Sequence, residues 1–287
     1  MNAEPQALPS VDLARYFARI GFAPTGFAPT GPDRPAPADM ATLGTLHGLH
    51  TASIPFEAID VLLGRGVDLA PEAVDAKILA GHRGGYCFEQ NGLFRRVLAT
   101  LGYRVEPLMA RVLWNRPAGA PAQPRTHMVL RVDHGGTPWL LDVGFGSVVP
   151  TAPLRLDTDA AQDTPHDSFR VVPSANELLL QVRRHGDWLP VYQMSQDRPE
   201  EADFEAANWY TSTHPSSHFA RSLIVARVDP EARFTLLNDR LTVRRPGLEP
   251  EIRQLDADGI ERALDGVFGL PVAADWRPVI ERTALAG

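Results

Sequence analysis

The sequence predicts an α+β protein in which helices come first, strands follow, and the C-terminal part mixes both. Apolar residues recur at helical spacing as far as Leu101. After Gly102 they fall into short alternating runs separated by turn residues, a pattern typical of an antiparallel sheet or small barrel. The 287 residues exceed what one hydrophobic core usually serves, so we expect several domains. We predict a helical bundle at 1–103, a β-barrel at 104–205 and an α/β unit at 206–287.

Composition and charge disfavour several classes of function. The net charge of −7 is the wrong sign for a nucleic-acid-binding protein. No apolar run approaches the ~18 residues of a membrane span, and residues 1–10 lack the apolar core of a secretion signal. The single cysteine excludes an intrachain disulfide and a cysteine zinc cluster. We therefore expect a cytoplasmic protein that has no nucleic-acid or membrane partner and no metal.

Capping residues mark the helices of the N-terminal unit. Ser10 is the predicted N-cap of a helix at 11–20, and Asp39 caps a helix that continues through His50. Pro71 opens a further helix, because proline is favoured in the first turn.

Two features of this unit are given no function. Residues 21–38 contain a tandem copy of Gly-Phe-Ala-Pro-Thr followed by more prolines, which predicts a surface loop. His47 and His50 lie three residues apart without an accompanying acid or cysteine, so no metal site is predicted there.

The only cysteine lies where a glycine turn leads into a helix. Arg83-Gly84-Gly85-Tyr86 precedes Cys87, and an apolar pattern of helical period follows as far as Leu101, with Gly102 in place for a helix end. Cys87 therefore falls in the first helical turn. Free backbone N–H groups and the positive end of the helix dipole favour a thiolate there, and the thiolate is the nucleophilic form. A buried, inert cysteine is the alternative.

Short strands separated by turns make up the second half of the chain. A helix is predicted near 256–268, followed by an irregular tail, and 198–205 is either a linker or an exposed helix. The predicted strands are 105–112, 127–132, 138–143, 168–172, 177–183, 188–194, 222–228, 232–237 and 241–244.

A predicted hairpin supplies partners for the thiol. A two-residue turn that sets Asp133 opposite Gly136 places His127 directly opposite Asp142 on the neighbouring strand. Side chains in such a pair lie close enough for a carboxylate to orient an imidazole, whose other nitrogen then faces a thiol. A cross-strand surface ion pair is the alternative.

Two glycines flank an aromatic residue just after the aspartate strand. The segment Gly144-Phe145-Gly146 follows Asp142, and glycines after a strand mark places where another group approaches the backbone closely.

Through most of its length the sequence resembles the arylamine N-acetyltransferase family. The most specific match is Arg83-Gly84-Gly85-Tyr86-Cys87-Phe88-Glu89-Gln90-Asn91-Gly92. Weaker matches occur in the expected order at Ile54-Pro55-Phe56-Glu57, Arg111-Val112-Leu113-Trp114, Thr126-His127, Leu141-Asp142-Val143-Gly144-Phe145-Gly146 and Asn208-Trp209-Tyr210-Thr211-Ser212-Thr213-His214-Pro215.

The resemblance implies an N-terminal helical bundle, a central antiparallel β-barrel and a C-terminal α/β lid, around a papain-like or transglutaminase-like cysteine core. It implies that Cys87, His127 and Asp142 form a catalytic triad. Thr126, Gly144, Gly146 and Phe219 resemble positions that contact coenzyme A. Phe56 and Phe145 resemble walls of the acceptor pocket, with Trp114 near the same cleft. Where the family usually has Asn, this chain has Ala58.

The reaction implied is ping-pong transfer of acetyl from acetyl-CoA, through acetyl-Cys87, to an arylamine, arylhydrazine or arylhydroxylamine. The partners are then coenzyme A and a small aromatic amine, and the protein is a monomer or homodimer. Arg221, Arg227 and Arg233 are candidates for steering the anionic donor, or else solvated charges on strand faces. A family-related amide synthase, a transglutaminase-like cysteine hydrolase using the same triad, and a non-enzymatic binding module stay open as alternatives.

Overall fold

The computed structural model describes residues 8–23, 38–117 and 119–285. Helices precede a large antiparallel sheet, which is followed by a smaller sheet with helices, as an α+β fold requires. The helices are α1 Leu13–Ile20, α2 Met40–Ser53, α3 Ile59–Leu62, α4 Pro71–Asp75 continued by a π-helical turn Ala76–Ala80, α5 Cys87–Thr100, α6 Glu201–Thr213, α7 Ala257–Gly266 and α8 Arg277–Ala284 after a 3₁₀ turn Ala274–Trp276.

The strands fall into two sheets. The larger has the order β5-β4-β3-β2-β9-β8-β7-β6 and the smaller the order β1-β10-β11-β12-β13. Their bounds are β1 Phe56–Glu57, β2 Val105–Val112, β3 His127–His134, β4 Thr137–Leu141, β5 Leu154–Arg155, β6 Gln162–Asp163, β7 Ser168–Ser174, β8 Glu177–Arg184, β9 Asp187–Ser195, β10 Ile224–Val228, β11 Arg233–Leu237, β12 Arg240–Arg244 and β13 Glu251–Gln254.

A side chain nearly closes the larger sheet into a barrel. Strands β5 and β6 stand at its two ends, and Gln162 on β6 holds the backbone of Arg155 on β5. The Arg155 N–H donates to Gln162 Oε1 at 2.7 Å, and Gln162 Nε2 donates to the Arg155 carbonyl at 3.0 Å. The predicted helical first part, antiparallel barrel and mixed last part are therefore confirmed as the fold class.

Three hydrophobic clusters form the core. One surrounds α5 and includes Phe94 and Val97, a second fills the barrel around Phe169, and a third lies between the smaller sheet and α7 and α8 around Trp276. The smaller sheet also takes in β1 from the helical region, since Phe56 pairs with Ala226. The domain boundaries predicted from the sequence stay a prediction.

The N-cap of α1 and the C-terminal tail differ from prediction. The cap of α1 is Asp12, not Ser10, because the Asp12 carboxylate accepts the Arg15 N–H at 3.0 Å. The predicted irregular tail is wrong, because it contains a 3₁₀ turn and α8. Trp276, Val279 and Ile280 bury an apolar face at helical spacing there, a signal that the sequence does carry.

The predictions for residues 198–205 and 21–38 concern segments outside the regular strands. The predicted stretch at 198–205 leads into α6, so the helical alternative holds. The predicted loop at 21–38 lies mostly outside the described residues, since 24–37 are not described.

Candidate active site

Backbone contacts explain why two glycines precede the cysteine. A Cβ on Gly84 would lie 2.0 Å from the Pro55 carbonyl oxygen, and a Cβ on Gly85 would lie 2.8 Å from Glu89 Oε2. Both distances are far inside van der Waals contact, so only glycine lets this turn pass so close to its neighbours. Cys87 is then the first residue of α5, as predicted, and Gly102 follows the helix with φ +88°.

Glu89 fixes the start of the cysteine helix. Its Oε2 accepts the Tyr86 N–H at 2.9 Å, which satisfies a donor just before the first turn. Its Oε1 lies 2.7 Å from Nζ of Lys77, the only lysine in the chain. Burial raises the pKa of Glu89 to about 7, although Lys77 acts in the opposite direction.

Lys77 and Arg83 join three carboxylates beneath the turn. Lys77 Nζ also lies 2.8 Å from Asp60 Oδ2, and Arg83 bridges Glu57 and Asp60 at 2.7 and 3.1 Å. Burial alone would lower the pKa of Lys77, but Glu57 and Glu89 raise it well above its usual value. Only 16% of the lysine side chain is exposed, so the ammonium is held inside this network. The network ties α3, α4 and α5 together at the base of the cysteine turn.

The departure at Ala58 is compensated by its neighbour. Ala58 stands at the N-cap of α3 and has no side chain that can cap it. Glu57 Oε2 accepts the Ile59 N–H at 2.8 Å instead. The buried acid therefore satisfies a backbone donor at the start of α3 that the helix itself leaves unpaired.

His127 and Asp142 form a buried hydrogen-bonded pair. Nε2 of His127 donates to Asp142 Oδ2 at 2.7 Å, which leaves Nδ1 free to serve another group. Burial disfavours the imidazolium, but Asp142 and then Cys87 raise the pKa of His127 to about 10. Burial alone would raise the pKa of Asp142. The charge of His127 and the hydrogen bonds from His127, Asn91 and the Gly144 N–H outweigh this effect, so the pKa of Asp142 is lowered. The pair is therefore held as carboxylate and imidazolium.

The thiol lies beside the residue that precedes the histidine. Cys87 Sγ contacts the Thr126 carbonyl oxygen at 3.6 Å, and the cysteine is 5% exposed. Thr126 also lines a cavity of about 520 Å³, together with residues of β2 and α6. Thr126 therefore links the thiol to a cavity of the size that small-molecule ligands occupy, although Cys87 is not among the residues that line it.

The register that predicted the His127–Asp142 contact is wrong by two residues. His134 pairs with Thr137, so the central turn residues are Gly135 and Gly136, with φ +59° and +80°. A type I′ turn needs positive φ at both positions, which two glycines supply without strain. A shift of two residues keeps each side chain on its face of the sheet, so Asp142 still reaches His127, as a diagonal neighbour just beyond the paired strand.

Asn91 and His47 hold the aspartate segment against α5 and α2. Asn91 Nδ2 donates to Asp142 Oδ1 at 3.0 Å, and its Oδ1 accepts the Val143 N–H at 3.0 Å. His47 Nε2 donates to the Asp142 carbonyl at 3.0 Å. Both residues were missed as functional candidates. A polar Asn on the apolar face of the predicted cysteine helix was the available signal, and nothing in the sequence pairs His47 with residue 142.

The other predicted site residues form two sets of contacts. Phe145 packs edge-on against the His127 ring at 5.1 Å, and a Cβ on Gly144 would lie 2.7 Å from Cys87 Cα. Phe56 and Phe219 pack together at 5.9 Å. Among the described residues, Trp114 makes no ring contact with either set and instead packs against the barrel cluster, as Phe145 also does.

Gly146 connects the second set to the aspartate segment. It has φ +84°, and a Cβ there would lie 3.2 Å from the Phe56 ring. Tyr86, next to Cys87, packs edge-on against Phe219 at 6.0 Å. Of the predicted coenzyme A and acceptor residues, Gly144 and Phe145 therefore pack directly against Cys87 or His127. The second set reaches the start of α5 through the contact between Phe219 and Tyr86.

Two of the three arginines considered for steering have structural roles. Arg227 donates to the Ala52 and Val267 carbonyls, and Arg233 is 2% exposed and donates to the Val149 carbonyl. Both are therefore buried or half-buried ties between segments, not solvated strand-face charges. Arg221 is exposed and donates to the Ser216 carbonyl at 3.2 Å.

The part of the chain that the structure describes contains neither a metal-ion cluster nor a membrane-spanning helix. In the described ranges, no three His, Cys, Asp or Glu side chains converge in a way that would hold a metal ion. None of the helices in those ranges has the length and apolarity that a membrane crossing requires.

The charge pair predicts a specific pH dependence of stability. The pKa of His127 is about 10 in the folded protein against ~6.5 unfolded, so its contribution is complete below ~6.5 and is lost as pH rises toward 10. We expect the melting-temperature gap between a Cys87→Ala protein and its Cys87→Ala/His127→Gln partner to be largest near pH 6 and to shrink as pH rises. The shrinkage should begin at a lower pH than in wild type, because the thiol also raises the pKa of His127. Omitting the thiol keeps its own titration out of the measurement.

The control is Met128→Leu in the Cys87→Ala protein, which alters the next residue of β3 without removing a titratable group. Its gap should stay level across the same pH range. A His127→Gln gap that is equally level would show that the imidazole is not held charged.

Comparison with known proteins gives consistent matches. A family model described as N-acetyltransferase matches residues 39–277. An arylamine N-acetyltransferase of Mycobacterium tuberculosis is 39% identical over 267 residues, which cover 92% of this chain and 91% of that protein. An arylamine N-acetyltransferase / N-hydroxyarylamine O-acetyltransferase of Salmonella typhimurium is 39% identical over 232 residues, covering 80% and 82%.

A solved structure shares the fold. The structure of Mycobacterium marinum arylamine N-acetyltransferase in complex with CoA superposes with a TM-score of 0.87 at 38% identity, covering 95% of this chain and 98% of that one.

Proposed function

Because the chain belongs to the arylamine N-acetyltransferase family, and is therefore an acetyltransferase, we propose that Cys87 carries acetyl from acetyl-CoA to an arylamine nitrogen. The observation that supports these roles is the buried 2.7 Å bond between His127 and Asp142 beside the only cysteine. Such a pair is what a thiol needs to act as a nucleophile near neutral pH.

The first half-reaction forms the acetyl-enzyme. His127 holds the proton of Cys87 as an imidazolium, and the thiolate attacks the thioester carbonyl of acetyl-CoA. The bond to the CoA sulfur breaks, and the imidazolium protonates that sulfur as it leaves. Backbone N–H groups at the start of α5 are the proposed donors to the negative oxygen of the tetrahedral intermediate.

The second half-reaction returns the enzyme. An arylamine nitrogen attacks the acetyl-Cys87 carbonyl, His127 accepts a proton from that nitrogen, and the carbon–sulfur bond breaks. Asp142 keeps the imidazole in the orientation that both steps need, while Asn91 and His47 keep Asp142 in place. Burial lowers the pKa of His47 to about 4, so it stays neutral and donates one hydrogen bond to the segment.

Thr126, Gly144, Gly146 and Phe219 are the proposed coenzyme A contacts, and Phe56, Trp114 and Phe145 the proposed acceptor contacts. The CoA complex of the Mycobacterium marinum relative supports acetyl-CoA as the donor. The name of the Salmonella relative supports hydroxylamines as further acceptors. Phe145 is the best supported of the acceptor residues because its ring touches the imidazole that must serve the attacking amine.

We propose a cytoplasmic location, because that compartment keeps a nucleophilic thiol reduced. A monomer or homodimer, and domains at 1–103, 104–205 and 206–287, are part of the same proposal.

Intact mass spectrometry with acetyl-CoA alone tests this function. We expect the protein to gain one acetyl group on Cys87 and to lose it again when 4-aminobenzoate or another arylamine is added, with the acetylated amine appearing in equal amount. Steady release of CoA without an amine and without an adduct would instead indicate a cysteine hydrolase. No adduct and no turnover would contradict acetyl-CoA as the donor. That result would leave the amide-synthase alternative, which draws on a carrier-bound chain, or a non-enzymatic binding role.

A further inference from the structure

A second cavity, of about 390 Å³, lies where the hairpin between β8 and β9 meets β11, β12 and the turn that follows β12. Its lining includes none of Cys87, His127 or Asp142, nor any of the proposed substrate contacts. A cavity of this volume is at the small end of the range that bound small molecules occupy.

Positive charge dominates the wall of this cavity. Five arginines line it, against two carboxylates, Asp167 and Glu249. The arginines are Arg183, Arg184, Arg233, Arg244 and Arg245. The chain as a whole carries a net charge of −7, so this concentration of cations runs against the average charge of the molecule.

Two of these arginines face each other in the sheet. Arg233 on β11 is the direct cross-strand partner of Arg244 on β12. Like charges directly opposite in an antiparallel pair destabilise the sheet, and Arg184 adds a third cation beside them. Asp167 offsets part of this repulsion, since it accepts a hydrogen bond from Arg184 and lies 2.7 Å from Arg233 Nε.

Several donors in the cluster stay unsatisfied. Within the described part of the chain, Arg233 Nη1 and Arg184 Nε and Nη2 are buried without a hydrogen-bond acceptor. Arg233 is 2% exposed, so bulk solvent hydrates that side chain only slightly. Burial lowers the pKa of Arg233 to about 10, with Asp167 opposing and Arg184 adding to the shift, which leaves the guanidinium charged at neutral pH. Buried charged donors without acceptors are costly unless a ligand completes them.

We propose that this cavity binds the phosphate groups of a phosphorylated small molecule through Arg184, Arg233 and Arg244. Guanidinium groups present paired N–H donors that match phosphate oxygens, and three of them from two strands and a hairpin surround an anion. The turn after β12 supplies Pro246 and Leu248 as an apolar side for the rest of the ligand. The phosphate groups come either from the nucleotide end of coenzyme A or from a separate phosphorylated metabolite, and the chemistry of recognition is the same.

Calorimetric titration with pyrophosphate and with 3′-phosphoadenosine 5′-diphosphate tests the proposal. Wild type should bind at least one probe saturably, with an affinity that falls as salt rises. Arg244→Gln should weaken that binding about tenfold or more, the size expected for one lost charged hydrogen-bonding group. Arg184→Gln serves as a second variant if the first lowers the melting temperature.

Arg240→Gln is the matched control, because it removes the same charge from an exposed position at the other end of β12. Its affinity should stay within about twofold of wild type. Absence of saturable binding by wild type, or equal affinity in wild type, Arg244→Gln and Arg184→Gln, would overturn the proposal.

The Michaelis constant for acetyl-CoA then identifies the source of the phosphate. If Arg244→Gln raises the Michaelis constant for acetyl-CoA and the nucleotide probe binds, the cavity belongs to the donor substrate. An unchanged constant together with pyrophosphate binding assigns it to a separate metabolite. Titration of Cys87→Ala separates this inference from the proposed function, because the cavity should bind its probes even where no acetyl-enzyme forms.

Discussion

Cys87→Ser is expected to lose acetyl transfer almost completely, by on the order of 10⁴-fold or more in kcat, the scale seen when a nucleophile that acts as part of a unit is removed. The hydroxyl fits the space of the thiol, but its oxygen stays protonated beside His127 and is a poor nucleophile without the charge that a thiolate carries. The measurement is arylamine acetylation at saturating acetyl-CoA, together with the intact mass of the protein.

The fold should be unaffected, because the substitution changes one small atom at the helix start and leaves the Glu89–Tyr86 bond in place. A melting temperature close to that of wild type is the control. If Cys87→Ser keeps more than a tenth of the wild-type rate, the acetyl-cysteine intermediate is wrong.

Asp142→Asn is expected to lower kcat by about 10³–10⁴-fold, as loss of the orienting carboxylate does in other triads. Asp142 Oδ1 accepts from both Asn91 and the Gly144 N–H, while Oδ2 accepts from His127. An amide at this position must keep its oxygen toward the two donors, so its NH₂ group faces His127. The imidazole then has to accept at Nε2 and carry its proton on Nδ1, where it no longer serves the thiol as a base.

The rate of Cys87 alkylation by iodoacetamide across pH separates this effect from a structural one. In Asp142→Asn the rate should fall at neutral pH and recover only at alkaline pH, because the thiolate loses its imidazolium partner. Asp133→Asn is the matched control, since Asp133 lies at the far end of β3 and pairs with Arg131. An unchanged alkylation profile in Asp142→Asn would contradict the assigned role.

Local patterns in the sequence were enough to predict the cysteine helix. Two glycines, an apolar period of 3.6 and a terminal Gly102 all depend on residues close in the chain, and α5 begins and ends where they indicate. The capping by Glu89 follows the same local logic, three residues beyond the N-cap.

The register of the hairpin between β3 and β4 was predicted incorrectly. Propensity predicts that a turn occurs at 133–136, but the choice between two registers depends on which residues take positive φ. A two-residue error leaves each side chain on the same face of the sheet. The contact between His127 and Asp142 was therefore predicted correctly from an incorrect register. The resemblance to a known family, not the turn, is what identifies these two residues as a unit with Cys87.

Contacts between distant segments could not be predicted from the sequence. Strand β1 has two residues and no period, yet it extends the sheet of the C-terminal part. The sequence left Arg227 and Arg233 open as solvated charges, but contacts with other segments make the first half-buried and the second buried. The same holds for the network beneath the cysteine turn, which gathers side chains from three helical segments, strand β1 and the turn before α5.

The burial of Lys77 has a consequence for an enzyme that carries an activated acyl group. A thioester on Cys87 reacts with any free amine that reaches it. An exposed lysine on another copy of the enzyme would be such an amine. This chain has one lysine, and its ammonium is enclosed by Asp60 and Glu89. Self-modification of the enzyme through lysine is thereby suppressed, and amine-directed labels should leave this position unreacted until the protein is unfolded.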